Sequence, residues 1–418
     1  MNSGAVRKGV VAFLLLGLVV VVGCGGETPR PRQAGLASSG LEPLSRPSSA
    51  PAPERLAAVQ GISLCVIVKS APAEAEKAQY AQASMLLVTE PSADLVRSLR
   101  KQFPQATVLS LRDVRPSAES AALPASEAQE NWFLASQGAP LGVGAPEPER
   151  LYDLSSSGAR EALAAALTQQ MQDATADGLY LRGVRPVSSE AEVSSEGGAR
   201  EQVAFPGVRE LIAAVRGSAP RAPMIVEADL GDAQRLQPLL TEADGMALRI
   251  PVGWEASAGS KWLTALWSGV RDTAQALAKG KRHLVLVPVW PTDKAGKPQE
   301  SDQAVRQLAA VYLLAWFDRA SLCIEPSLLR KAGLDPSLRI GAPKDKAAEK
   351  EGLLSREFDK VWAFLNLGSG EAPVPHIEGT VDLAGEAAPK SLAPGAALVL
   401  IPVQEKVEEE PATGAGGQ

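Results

Sequence analysis

Eight short apolar runs alternate with stretches of helical periodicity, and that alternation restricts what this chain can fold into. The runs are Ile62–Val68, Ser84–Thr89, Thr107–Leu111, Asp177–Gly183, Met224–Asp229, Asp244–Ile250, His283–Trp290 and Ser321–Glu325. Helical patterns fall over Glu74–Gln82, Ala93–Phe103, Ala159–Ala174, Gly207–Arg216, Ala233–Glu242, Lys261–Lys279 and Asp302–Asp318. Strands separated by helices pair in parallel, because a helical crossover returns the chain to the same end of the sheet. Eight such units close into a (β/α)₈ barrel. A doubly wound open sheet would show shorter edge strands and a Gly-rich phosphate turn, and the sequence has neither.

The barrel is therefore expected over residues 59–350. Past Ser355 the helices stop. Val361–Leu365, His376–Leu383 and Ala397–Val403 read as strands between Gly/Pro turns. They predict a small antiparallel β-domain over residues 355–404. Residues 24–58 are rich in Pro, Ser, Gly and Ala, and residues 405–418 are acidic and then Gly-rich. Neither segment has enough large apolar side chains to offset its ordering entropy, so both read as flexible.

The first 23 residues read as a secretory signal. Arg7 and Lys8 precede an apolar run from Val10 to Val22 that is short for a membrane span. The run closes on Val21-Val22-Gly23-Cys24, which resembles the lipobox of bacterial lipoproteins. That resemblance implies a lipid on Cys24 and attachment to the cell envelope. Gly25 and Gly26 stand where an acidic residue would favour inner-membrane retention, so the outer membrane is the expected destination.

Charge and metal-ligand inventory remove several function classes. The formal net charge is −6, and loss of Arg7 and Lys8 with the signal takes it to −8. An acidic chain without a basic face is a poor nucleic-acid binder. His283 and His376 are the only histidines, which disfavours a His-rich metal site or a His-based triad. Cys65 and Cys323 lie inside apolar runs that neighbour one another in a closed barrel, and read as buried thiols. No cofactor and no metal are expected. The sequence does not specify an oligomeric state.

Two segments 67 residues apart repeat one pattern: Ala176-Asp177-Gly178-Leu179-Tyr180-Leu181-Arg182 and Ala243-Asp244-Gly245-Met246-Ala247-Leu248-Arg249. Each follows a helical stretch, turns on Asp-Gly, and runs as a strand ending in arginine. Between the third and fourth runs lies a long loop, from Asp113 to Leu154, that carries Trp132, Phe133 and Tyr152. Loops longer than about 15 residues are uncommon as plain connectors, and on a barrel this one lies at the C-terminal face. The segment Arg185–Phe205, after the fourth run, is Ser/Glu/Gly-rich and reads as a second loop.

In order along the chain, Trp132-Phe133-Leu134, Leu151-Tyr152-Asp153-Leu154, Ala159-Arg160-Glu161 and Asp177-Gly178-Leu179-Tyr180-Leu181 form a series. The series resembles the "hypothetical glycosyl hydrolase" group of (β/α)₈-barrel proteins related to the α-galactosidase-like clan. The strand end Leu365-Asn366 is similar to one in that group's C-terminal β-domain. The resemblance spans roughly residues 60 to 400. It implies a nucleophilic carboxylate at the end of strand 4 and an acid/base carboxylate at the end of strand 6. Here those positions are Arg182 and Arg249. Glycoside hydrolysis needs one carboxylate at the sugar's oxocarbenium-like centre and another at the leaving oxygen. Arginine has no lone pair to offer.

Other carboxylates lie near strand ends. Glu227 and Asp229 end the fifth run with the same parity, Glu325 ends the eighth, and Glu90 and Asp113 follow the second and third. One reading takes Glu227 and Glu325, with Asp229 as a further candidate, as relocated catalytic groups. The other takes the strand-end charges as a salt-bridged network filling a dead site, since charges facing a barrel interior require partners. Trp132, Tyr152 and Trp290 are candidates to line a sugar. Trp262, Trp267 and Trp316 fall in helical stretches and are expected to be core. The leading expectation is an envelope lipoprotein with a degenerate glycosidase-like barrel that binds a polysaccharide. An active glycosidase using Glu227 and Glu325 is the alternative, and a purely structural envelope component is the third.

Overall fold

The computed structural model describes residues 62–403 except 116–117, 119, 134, 137–138, 141, 144–148, 151, 185–196, 232–241, 255–259, 294–296 and 339. The signal, Cys24, the tether, the C-terminal tail and nearly all of the helical stretch Ala233–Glu242 lie outside the described residues. No described helix is long and apolar enough to cross a membrane.

Eight parallel strands close into a barrel. They are β1 (Leu64–Val68), β2 (Ala83–Val88), β3 (Thr107–Asp113), β4 (Gly178–Arg182), β5 (Met224–Asp229), β6 (Gly245–Pro251), β7 (His283–Val289) and β8 (Ala320–Cys323). Their order around the wall is β1-β8-β7-β6-β5-β4-β3-β2. Closure occurs where Leu64 and Cys65 stand opposite Leu322 and Cys323. The two cysteines are buried, free thiols, and burial pushes the Cys65 thiol well up. Each strand buries both faces, which is why the runs read as continuously apolar. Inward residues including Leu109, Leu111, Tyr180, Ile225, Ala247 and Val285 fill the lumen. Outward residues pack against the helices in one large core.

The twin Asp-Gly turns do the same structural work at the bottom of β4 and β6. Asp177 Oδ2 accepts from the Val108 amide of β3 at 2.8 Å, and Arg100 holds its other oxygen. Asp244 Oδ2 accepts from the Met224 amide of β5 at 2.8 Å, and Arg216 binds the same oxygen. Each aspartate thus latches its strand to the preceding one and collects an arginine from the helix that leads into that preceding strand. The glycine beside it admits the following strand: a Cβ on Gly178 would overlap the Pro223 carbonyl, and one on Gly245 would lie 2.5 Å from the His283 carbonyl oxygen.

His283 opens β7 beside this latch, its amide donating to the Asp244 carbonyl. Burial, reinforced by Arg319 and opposed by Asp244, lowers its pKa from 6.5 to about 4. The folded state therefore takes up its proton later than the unfolded state as pH falls. Stability is complete above pH 6.5 and is lost between 6.5 and about 4. Discounted for partial solvent contact, the loss is on the order of 2 kcal/mol. The wild type should lose melting temperature relative to His283→Gln across that window. Parallel curves for the two proteins would contradict the assignment.

The helix predicted over Gly207–Arg216 begins at Gly197 and ends at Ser218, so it takes in residues 197–205 of what read as the Arg185–Phe205 loop. Gly197, Gly198 and Pro206 are poor helix formers and concealed its first turns. The last barrel helix, Asp302–Ala315, stops before Trp316 rather than at Asp318. It is buried on nearly every side, because the barrel lies against one face and the C-terminal sheet against the other. A short helix, Pro326–Lys331, follows β8 and had no counterpart in the sequence pattern.

The C-terminal sheet is antiparallel, with order 348–350, 353–357, 362–366, 397–402, 380–382. Its first strand, Ala348–Lys350, lies ahead of the boundary expected at residue 355. That strand is an exposed, charged edge without apolar alternation, so nothing in the sequence marked it. The run expected over His376–Leu383 is a strand only at Thr380–Asp382, because the chain turns at Gly379. The sheet is fixed to the barrel in two places. Arg356 Nη1 donates to the carbonyls of Leu314 and Trp316 at 3.0 and 2.7 Å, capping the helix end, and its guanidinium stacks over Phe358 at 5.4 Å. Trp254, after β6, donates its indole N–H to the Gly395 carbonyl at 2.8 Å. Buried Asn366 is fully satisfied by Gly368, Gly370 and Leu392 backbone groups, which gives the Leu365-Asn366 strand end a structural role.

Candidate binding site at the barrel mouth

Side-chain parity aims a set of charged residues up the lumen. Tyr180 and Arg182 share the inward face of β4, Ile225, Glu227 and Asp229 that of β5, and Ala247 and Arg249 that of β6. The apolar members fill the middle of the barrel, so the charged members lie above them, at the C-terminal ends of the strands. This is the face on which barrel sites are built.

Glu227 is the centre of the cluster and is only 5% exposed. The Tyr180 hydroxyl donates to its Oε2 at 2.8 Å, and Arg182 Nε approaches the same oxygen at 3.4 Å. Its Oε1 faces Arg249 Nε at 3.8 Å. Arg249 also reaches Asp229, Nη1 to Oδ1, at 3.2 Å. Burial and the adjacent Glu227 charge push the Tyr180 phenol well up, so it remains a donor. A buried carboxylate needs such partners, because moving it out of water unpaired is costly.

A second pair flanks the first. Asp113, at the end of β3 and 1% exposed, receives the Arg115 amide, Nε and Nη2 at 2.8, 2.9 and 2.5 Å. The sequence marked Asp113 but missed Arg115, although an Asp-x-Arg spacing allows this fork to close on its own turn. It also missed Tyr180, whose inward parity with Arg182 was readable.

Between these groups is a depression of about 20 Å³, lined by Arg115, Arg182, Gly183, Val184, Glu227, Ala228, Asp229 and Arg249. The structure thus brings together four of the residues singled out in the sequence: Arg182, Arg249, Glu227 and Asp229. Glu325 is elsewhere. It is the exposed N-cap of the Pro326–Lys331 helix, two residues past the end of β8, which lies three places round the wall from β5.

The aromatic candidates also lie off this depression. Tyr152 is buried, stacked on Phe133 at 5.1 Å, with its hydroxyl donating to the Leu123 carbonyl at 2.7 Å. Trp132 is half-buried against the core and against Gly158. Trp290 is half-buried in the same core. The long loop therefore contributes packing at its described residues. Of the helical tryptophans, Trp267 is core as expected. Trp262 is 39% exposed, edge-on to Trp254 at 6.0 Å, because it lies on the outer face of its helix. Trp316 is half-buried just past its helix, edge-on to Phe358 at 5.9 Å.

No protein-family model matches the chain, and no curated protein matches it. Among solved structures, it is similar to the glycoside hydrolase domain of PelA from Pseudomonas aeruginosa, with 15% identity over 64% of this chain and 95% of that one and a TM-score of 0.41. The glycoside hydrolase domain of PgaB (BpsB) from Bordetella bronchiseptica gives 12% identity over 65% and 98% of the two chains, TM-score 0.42. Amy13B of Eubacterium rectale gives 10% identity over 82% and 96%, TM-score 0.47. These neighbours are glycoside hydrolase (β/α)₈ barrels at low sequence identity. The barrel assignment for the present chain stands on its own strand pairing.

Proposed function

We propose that this protein is a lipid-anchored envelope protein whose glycosidase-like barrel binds a glycan without cleaving it. The observation that carries the reading is the state of Glu227. It is the most deeply buried carboxylate of the depression, and Tyr180, Arg182 and Arg249 already surround both of its oxygens. A catalytic acid must give a proton to a leaving oxygen, and a nucleophile must present a free oxygen to the anomeric carbon. Glu227 can do either only by abandoning its partners. Glu325 does not line the depression, and Asp229, the second carboxylate there, is itself paired with Arg249.

The glycan assignment follows the motif series and the placement of unspent polar groups on the face where barrels hold ligands. Anchoring follows the signal, Cys24 and the Pro/Ser-rich composition of the segment after it. Isothermal titration of the mature chain against envelope and plant polysaccharides is expected to show binding to at least one. Absence of affinity across the whole panel would remove the binding role and leave a structural spacer.

A further inference from the structure

We infer that the barrel mouth recognises the carboxylate of an acidic saccharide, a uronic acid residue, through Arg182 and Arg249. This rests on the glycan-binding reading and gives it a ligand class. Arg182 directs its Nε at Glu227, 3.4 Å away, and among the described residues its two terminal nitrogens have no hydrogen-bond partner. Arg249 directs Nε and Nη1 at Glu227 and Asp229, and its Nη2 has no partner among the described residues. Both side chains are about one-third exposed, at 33% and 30%, and line the depression. A guanidinium fork matches a carboxylate in two parallel hydrogen bonds, and such charge-assisted pairs are about twice as strong as neutral ones.

The size of the depression restricts what enters. About 20 Å³ holds one or two water-sized groups, which is room for the two oxygens of a carboxylate.

The local charges do not cancel this preference. Asp113 is consumed by the Arg115 fork and its own turn amide. Glu227 is buried beneath both arginines and accepts the Tyr180 hydroxyl. Asp229, 35% exposed, is held by Arg249 and is, among the described residues lining the depression, the more exposed of its two carboxylates. Removing its charge should therefore tighten binding.

The test is titration with a galacturonate trimer, its methyl-esterified form, and sodium acetate. Arg182→Gln and Asp229→Asn are measured alongside the wild type, each checked for folding by its melting curve. We expect the trimer to bind, the ester to bind at least tenfold more weakly, Arg182→Gln to weaken the trimer by at least tenfold, and Asp229→Asn to strengthen it several-fold. Equal binding of ester and acid would overturn carboxylate recognition and leave glycan binding intact. Acetate competing as well as the trimer, mole for mole, would overturn the saccharide assignment. If Arg182→Gln melts early, Arg182→Lys, which keeps the charge and loses the fork, carries the same expectation with a smaller fold-change. Trimer binding unchanged by either substitution overturns the inference.

Discussion

Replacing Glu227 by alanine is expected to destabilise the barrel by about 3 kcal/mol, because it strands partners that were arranged around one buried carboxylate. The residue is nearly inaccessible, whereas Arg182 and Arg249 keep about one-third of their surface in solvent. The arginines can thus rehydrate in part, which places the cost at the lower end of the usual range for a broken buried pair. Glu227→Gln keeps an acceptor for the Tyr180 hydroxyl and should cost about 1 kcal/mol, the net value of a typical hydrogen bond. The gap between the two variants in urea unfolding measures what the network contributes. A Glu227→Ala protein as stable as the wild type would show that Glu227 is not the counter-ion of the cluster. Catalytic groups are often released at a gain in stability, so that result would favour the enzymatic reading.

Gly178→Ala is expected to cost about 3 kcal/mol by overpacking, and Gly245→Ala a similar amount. The obstruction in both cases is a backbone carbonyl of the neighbouring strand, Pro223 for Gly178 and His283 for Gly245. No side-chain rotation relieves it. The strand must move, and with it the hydrogen bond from the Leu179 amide to Pro223 at 2.9 Å. Gly217→Ala is the control. That glycine is exposed near the end of a helix with nothing within 4 Å of a new Cβ, so alanine there should be neutral or stabilise by up to about 1 kcal/mol. Thermal unfolding of the three variants gives the comparison. If Gly178→Ala matched Gly217→Ala, the close approach of β4 and β5 would be refuted.

These two predictions separate what was legible in the sequence from what was not. The barrel was legible, because strands buried on both faces leave apolar runs bounded by turns, and Met224–Asp229 was located to the residue. The twin Asp-Gly segments were legible as strands 4 and 6, and their arginines as lumen residues, since parity alone aims them inward. What the aspartates bind was not. Asp177 and Asp244 look like turn residues, yet they bond backbone amides 69 and 20 residues away, pairings that only the alignment of neighbouring strands creates. The candidate site was half legible. Arg182, Arg249, Glu227 and Asp229 could be collected by parity, but Glu325 could not be separated from them without knowing where β8 ends and its helix begins. Aromatic candidates were the least legible, because Trp and Tyr serve core and ligand equally well. Tyr152 became a buried stack and Trp254, unremarked in the sequence, became a bolt between barrel and sheet.

Whether the mouth of this barrel performs chemistry decides between binding and catalysis. Release of reducing ends from a panel of neutral, amino and acidic polysaccharides, measured with the mature chain and with Glu227→Gln side by side, addresses that most directly. No release above the protein-free blank is expected from either protein, including on any polysaccharide that the chain binds. Turnover by the wild type that Glu227→Gln abolishes while melting normally would contradict that expectation, and would make Glu227 a catalytic residue.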